Sequence, residues 1–404
     1  MTAFADASAL DAATIMQTYA RKPVLFVRGD GMRLYDDAGT EYLDFVSGIG
    51  AVNLGHSHPA VTAAVCQQAA KLTHVSNLFY VEHRAELARD VEALLEGDGW
   101  RMFFANSGTE AVEGAIKLAR RWAGVHKPRA YKVVTLERSF HGRTLAALAA
   151  TGQASKQEAF APMPEGFVHV PANDVEALRA AVDESVAAVM VEVVQGEGGV
   201  WPLDAEYLSA VRQVCDERSA LFIADEVQTG FFRTGPAFAH QSFDVVPDVI
   251  TVAKALGNGL PIGGIIARGD AADVLVPGDH GSTFGGGPVI CAAARATVAQ
   301  LVEGRFGERA RNAGGYLMEG LKQLGSTTGA LSDVRGAGLM VGVTLTAPDA
   351  AQIAASALTR GIVLNNIGAN ILRFLPPLVC GKTEIDTLLS ILSDILDEVS
   401  LPHG

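Results

Sequence analysis

Pro247-Asp248-Val249-Ile250-Thr251-Val252-Ala253-Lys254 is an apolar run that ends in a lysine, and Gly257-Asn258-Gly259-Leu260-Pro261 follows almost at once. Desolvating a lone ammonium costs several kcal/mol or forces the group to neutralise, so a strand seldom closes on one without a use for it. A lysine held neutral in such a place is a nucleophile for carbonyls, which is how Schiff-base enzymes activate theirs. Upstream, Leu221-Phe222-Ile223-Ala224-Asp225-Glu226 is a second apolar run, and it ends in carboxylates. A lysine for a Schiff base and an aspartate for a pyridinium nitrogen, both at strand ends, are what pyridoxal 5'-phosphate (PLP) requires of a protein.

Outward from these runs, the segments 132–136 and 187–193 are also short, Val-rich and bounded by polar or turn residues. Helical patterns separate them from about residue 60 to 295. Such alternation predicts an α/β fold with a mainly parallel central sheet buried on both faces and flanked by helices. Ligands of open sheets bind at the carboxyl ends of the strands, where Asp225 and Lys254 fall. Before this region, 23–28, 33–35 and 42–45 read as short strands separated by Gly29-Asp30-Gly31 and Asp36-Asp37-Ala38-Gly39. After about residue 300 the pattern becomes helix, strand and helix, with helical periodicity over 384–399. The expected organisation is an N-terminal segment 1–58, a large domain 59–298 and a C-terminal part 299–404, the two ends together forming a smaller α+β domain.

Composition narrows the class. The chain has 404 residues, is 49% hydrophobic and 19% charged, and carries a formal charge of -13. It has no basic stripe, which argues against nucleic acid, and any anion site has to be built from local arginines. Cys66, Cys215, Cys291 and Cys380 form no CxxC pair, which points to a reducing compartment and no structural zinc. The first twenty residues hold Asp6 and Asp11 and no arginine, against a secretory or transit signal. No uncharged apolar run reaches the roughly eighteen residues of a membrane span. A soluble cytoplasmic protein without a metal site is the expectation.

Two further stretches bear on a cofactor. Asn106-Ser107-Gly108-Thr109-Glu110 runs from an apolar segment into a helical one, with Ser107 and Glu110 at capping-box spacing. It reads either as a well-capped helix or as a phosphate site, in which N–H groups at Ser107, Gly108 and Thr109 meet the anion at the positive end of the helix. Phe140-His141-Gly142-Arg143-Thr144 is a polar-aromatic stretch after a strand. Phe140 could stack on a pyridine ring or belong to the core; Val227 and Gln228 would then cover the other ring face and reach its hydroxyl. The Gly-rich loops lack the strand–GxGxxG–helix arrangement, and GxxxxGK[ST] is absent, which disfavours a nucleotide fold.

Together these stretches resemble the class III (fold type I) PLP-dependent aminotransferases, and within them the acetylornithine aminotransferases. The resemblance spans about 19–377 and also rests on Gly55-His56-Ser57-His58-Pro59, Ser76-Asn77-Leu78-Phe79-Tyr80, Gln195-Gly196-Glu197-Gly198-Gly199, Gly281-Ser282-Thr283-Phe284-Gly285-Gly286 and Arg373-Phe374-Leu375-Pro376-Pro377. It implies a homodimer with shared active sites. In that reading Lys254 is the Schiff-base lysine, Asp225 is the partner of the pyridine nitrogen, and Gly108 and Thr109 lie on the phosphate. Thr283 reaches that phosphate from the other subunit. The reaction implied moves the terminal amine of N-acetylornithine to 2-oxoglutarate, giving N-acetylglutamate semialdehyde and glutamate, a step of arginine biosynthesis. Three residues depart from the family pattern: Val193 for a usual proline, Phe232 for a glycine and Gly287 for an asparagine.

The two substrates make conflicting demands. The amine donor has no carboxylate on its reacting carbon, whereas 2-oxoglutarate has one beside it and another at the far end. Arg143 reads as the distal clamp for both and Arg373 as the proximal clamp. The resemblance implies that Glu197 pairs with Arg373 when the amine is bound and releases it for the keto acid. Alternatively Arg373 is a solvated strand-end charge and Glu197 a loop carboxylate. Tyr19 is placed at the distal end and Ser282 with the substrate contacts. His141 lies in the cofactor-binding stretch but, like His56, reads as a structural polar group, since transamination needs no imidazole. Ornithine, succinylornithine or 4-aminobutyrate are alternative donors. A PLP aminomutase or a non-catalytic PLP-binding protein are the alternatives of other classes.

Overall fold

The structure is a computed structural model that describes residues 3–400. Its centre is a seven-stranded sheet in the order Arg101–Ala105, Gly263–Ala267, Val249–Val252, Leu221–Asp225, Val186–Val191, Lys132–Leu136, Phe167–Val170. Gly263–Ala267 pairs antiparallel with both neighbours, so the other six strands run in one direction. Side chains alternate across the sheet: Leu221 and Ile223 pack with Val112, Ile116 and Ala119 of the helix Gly108–His126. Phe222 and Ala224 pack with Leu208, Val211 and Val214 of the helix Ala205–Arg218 on the other face. A period of two inside a strand covered on both faces produces the continuous apolar runs seen in the sequence.

Register decides what meets at the edge. Asp225 pairs with Thr251, and Ala224 pairs with Val191, so Asp225, Glu192 and Lys254 all emerge at the same carboxyl end. Arg101–Ala105 delivers Asn106 and Ser107 to that end, and Lys132–Leu136 leads into the Phe140 stretch. Arg101–Ala105 was read only as an apolar segment, and two other strands of this sheet were not anticipated. Phe167–Val170 is an edge strand, and Gly263–Ala267 begins with two glycines that read as more of the preceding loop.

The N-terminal strands run Phe26–Asp30, Arg33–Asp36 and Glu41–Asp44, the first lying slightly later than expected. Ile362–Val363 adds to them, parallel to Glu41–Asp44. A second small sheet joins Leu331–Ala337, Met340–Leu345, Ile371–Phe374 and Asn365–Ile367. The C-terminal helix is Lys382–Ser400. No helix among the described residues is long and apolar enough to cross a membrane.

Arg233 ties these parts together. It is fully buried and has no ion-pair partner among the described residues; its guanidinium donates to Leu339 O at 3.0 Å, to Pro376 O and to Asn53 Oδ1. Burial lowers it to about 9, against the small opposing influence of Cys380 and Asp44. Arg233→Met should leave these acceptors buried and unmet, costing about 2–5 kcal/mol. Urea unfolding measures this, and a loss below about 1 kcal/mol would show that the three segments are held by other contacts.

Candidate active site

A cavity of about 410 Å³ opens at the carboxyl end of the central strands. Lys254, Asp225, Val227 and Gln228 line it from two strand ends. Ser107, Gly108 and Thr109 line it from the start of the helix Gly108–His126, and Phe140, His141 and Arg143 from the loop after Lys132–Leu136. Glu197 also lines it. Segments scattered from 106 to 254 therefore converge on one space.

Asp225 is buried and held through both oxygens. Oδ2 lies 2.7 Å from His141 Nδ1, while Oδ1 accepts from Thr251 Oγ1 at 2.9 Å and from the Val227 N–H at 3.1 Å. A carboxylate has about four lone-pair sites, so a further donor in the cavity can still be accepted. Burial lowers the His141 imidazole, but its hydrogen bond to Asp225 and the charges of Asp225 and Glu192 outweigh it and leave it raised. His141 is thus a structural polar group with a definite task, the compensation of Asp225. Its Nε2 is buried without a partner among the described residues.

Lys254 lines the cavity, so part of it stays accessible, yet the protein encloses it deeply enough to lower its amine to about 8. Burial is the main cause; Arg373 lowers it further, and Glu197, Asp225 and Glu192 oppose the shift. The neutral amine anticipated from the sequence therefore forms just above neutrality. Lys254 also sits in the left-handed backbone region, at φ 45°.

Arg373, on the strand Ile371–Phe374, is 1% exposed and pairs with Glu197. It also donates to Asn365 Oδ1 at 3.0 and 2.6 Å, to Gly196 O at 3.3 Å and to Gln228 Oε1 at 3.5 Å. Burial alone would raise the Glu197 carboxyl, but Arg373, with Lys254 and Lys156, holds it below the usual range. Arg373 is thus not a solvated strand-end charge. Arg143 is exposed and its guanidinium lies 5.6 Å from the Phe140 ring centre, over the cavity mouth.

Ser107 caps its helix, accepting from the Glu110 N–H at 3.3 Å. The return half of the box is displaced by one residue, because Glu110 accepts from the Asn106 N–H instead of that of Ser107. The Ser107, Gly108 and Thr109 stretch faces the cavity at a helix N-terminus, as an anion requires. A Cβ on Gly108 would lie 2.8 Å from Val227 Cγ1, so only glycine lets this turn pass beneath the Val227 face. Enclosed lysine, held aspartate, aromatic wall and helix terminus fit the aldehyde, ring nitrogen, ring face and phosphate of PLP. Among the described residues no cluster suits a metal ion.

Residues 15–396 match the aminotransferase class-III family. The chain belongs to that family. It is 48% identical to the acetylornithine aminotransferase of Caldanaerobacter subterraneus subsp. tengcongensis, over 95% of this chain and 98% of that protein. It is 44% identical to the acetylornithine aminotransferase of Aquifex aeolicus, over 95% of this chain and 99% of that protein. Among solved structures, it is similar to ornithine aminotransferase from Toxoplasma gondii ME49, with TM-score 0.93, 33% identity and coverage of 99% and 96%. It is also similar to acetylornithine aminotransferase from Elizabethkingia anophelis, with TM-score 0.87, 32% identity and coverage of 98% and 99%.

In this class-III aminotransferase four of the sequence candidates lie outside the cavity lining, and one of them, Arg373, reaches it only through Glu197 and Gln228. Tyr19 is 76% exposed, Thr283 is exposed, and Ser282 bonds Asn106 Nδ2 and the Gly285 N–H at the back of the Ser107 turn. Among the lining residues that were missed, one is ionisable. Glu192 follows Val186–Val191 directly, is buried, and is raised to about 7 by burial, with His141 opposing and Asp225 adding to the rise. The signal was the one that exposed Lys254, a charge inside an apolar run. Of the departures, Val193 is buried and Phe232 holds φ 71°, a region that favours glycine. Gly287 stands at the N-cap of the helix Pro288–Glu303.

The lowered Lys254 amine sets a pH dependence. Its neutral form should appear as pH rises through about 8 instead of 10.5. Amine modification of cofactor-free protein, followed at Lys254 by mass spectrometry, should have its midpoint there. Glu197→Gln should move that midpoint lower, since Glu197 raises the amine; a midpoint near 10.5 would contradict the enclosure.

Proposed function

We propose that this class-III aminotransferase binds PLP through Lys254 and transfers the terminal amine of N-acetylornithine to 2-oxoglutarate. The observation that carries the reading is the meeting in one cavity of an enclosed Lys254, a compensated Asp225 and Glu197, which pairs with the buried Arg373 behind it. The donor assignment is supported by similarity to acetylornithine aminotransferases at 44–48% identity over nearly the whole chain.

When bound, PLP supplies an electron-withdrawing ring that accepts the electron pair left when a proton leaves the substrate carbon. Lys254 Nζ would hold the cofactor, and as a free amine it would carry that proton at the substrate carbon. Asp225 would face the ring nitrogen as its hydrogen-bond partner, and His141, Thr251 and the Val227 N–H hold the Asp225 carboxyl in place. Ser107, Gly108 and Thr109 would receive the phosphate, Phe140 and Val227 would cover the two ring faces, and Gln228 would reach the hydroxyl. Glu197 neutralises Arg373 while the donor, which has no proximal carboxylate, is in the site. When 2-oxoglutarate enters, its carboxylate replaces Glu197 on Arg373, and Arg143 takes the distal carboxylate of either substrate.

A homodimer completes the reading. Asn77 Nδ2 donates to Ser282 O at 2.7 Å and joins two loops whose tips expose Leu78, Phe79, Tyr80 and Phe284. A contiguous apolar patch of this kind suits a second copy, which would bring its Thr283 and Ser282, and Tyr19, to the neighbouring site. The division into 1–58, 59–298 and 299–404 fits the pairing of Glu41–Asp44 with Ile362–Val363.

Single-turnover absorbance of the holoenzyme, mixed separately with N-acetylornithine, ornithine, succinylornithine and 4-aminobutyrate, tests the donor. N-acetylornithine should convert the bound cofactor fastest and 2-oxoglutarate should restore it. A faster amine would reassign the donor, and no spectral change with any amine would end the reading. Asp225→Asn should lower kcat at least ten- to a hundredfold, the equivalent of one charge-assisted hydrogen bond. A smaller loss in steady-state kinetics would remove Asp225 from the ring nitrogen.

A further inference from the structure

We propose that Glu192 is a positioning residue for the keto-acid half of the reaction: its two carboxylate oxygens fasten the Phe140 loop and the Gly196 loop to one point, and through Gly196 they fix where Arg373 stands. The proposal deepens the functional reading and rests on Arg373 as the proximal clamp.

Glu192 Oε1 accepts from the Phe140 N–H at 2.8 Å, and Oε2 accepts from the Gly196 N–H at 3.0 Å. One buried side chain thereby joins two loops that meet over the cavity from different strands. Gly196 is held on two further sides. Its carbonyl accepts from Arg373 Nη1 at 3.3 Å, and a Cβ on it would lie 2.1 Å from Gln228 Oε1. The next residue is Glu197, the partner of Arg373. A shift of the Gly196 peptide therefore moves a guanidinium contact and the carboxylate that gates it.

The residue type supports this role. Two N–H donors need two acceptors, which a carboxylate offers and an amide of the same shape does not. Burying a second carboxylate beside Asp225 is unfavourable, as its rise to about 7 reflects. A glutamine would avoid that cost but would turn a donor toward one of the two N–H groups.

Glu192→Gln tests the proposal in the holoenzyme. The Phe140 loop is also secured by the His141 N–H to Thr151 Oγ1, at 2.9 Å, and by His141 on Asp225. The Gly196 N–H has only Glu192, so the amide oxygen should keep Phe140 and release Gly196. Hydrogen–deuterium exchange at Gly196 should accelerate roughly tenfold or more, with Phe140 unchanged. KM for 2-oxoglutarate should rise roughly tenfold or more, while single turnover with the amine donor, which does not use free Arg373, stays within about threefold. In an Arg373→Lys background the same change should add no further rise, because the two act through one contact. Unchanged exchange at Gly196 would overturn the fastening. Equal losses in both half-reactions with a lowered melting temperature would make Glu192 merely structural, and additive effects in the double variant would separate it from Arg373. A wild-type enzyme that reacts with no amine would instead sink the functional reading, and the exchange comparison would still decide the fastening.

Discussion

The carboxyl of Asp225 is buried at the end of an apolar strand, and much of the surrounding structure supplies its hydrogen bonds there. His141, Thr251 and the Val227 N–H supply the compensation that water supplies elsewhere. The next residue poses the same problem on the opposite side of the strand. Glu226 is buried with His240 at 2.9 Å and the N–H groups of Ala239 and His240, and these hold its carboxyl below the usual range despite burial. Two adjacent carboxylates thus have separate histidine partners, because strand alternation sends them to different faces. One faces the cavity and the other secures the turn beyond it.

Compensation spreads along the sheet edge from there. Lys254, Glu197 and Arg373 form a coupled set: at the lysine, Glu197 raises and Arg373 lowers, so the closed pair partly cancels, and at Glu197 both cations lower. An interior with few waters makes such couplings strong, and it makes an unmatched member expensive. This explains why Arg373 is provided with Asn365, Gly196 and Gln228 as well as Glu197. The guanidinium keeps neutral partners whenever Glu197 is elsewhere.

The same economy governs the junction of the chain's two ends. Arg233 uses carbonyl oxygens from Leu339 and Pro376 and the Asn53 side chain, so both terminal nitrogens are met without a carboxylate while Nε is left without a partner among the described residues. The N-terminal turn, the C-terminal strands and the loop after Asp225 thereby share one polar knot. Ser47 Oγ donates to Leu375 O nearby, close to the strand that carries Arg373. The Arg373 strand is therefore positioned from the N-terminal side of the sequence as well as from its own sheet.

Lys254 and Asp225 were legible because a charge closing an apolar run is locally anomalous, and the capped helix after Ser107 because capping is a short-range pattern. The same local logic contained Glu192, inside Val191-Glu192-Val193, but it was absorbed into the strand around it. Gly263–Ala267 escaped because its two leading glycines carry no strand pattern and its direction depends on a neighbour. Tyr19, Ser282 and Thr283 were placed by resemblance, and a single chain leaves them away from the cavity. By itself the sequence determined which segments are buried and which charges need partners, since both follow from apolar periodicity and the cost of desolvation. Only the tertiary structure decided the partners. His141 and Asp225 lie 84 residues apart, and Glu197 and Arg373 lie 176 apart, and register and strand direction, not local preference, set such distances.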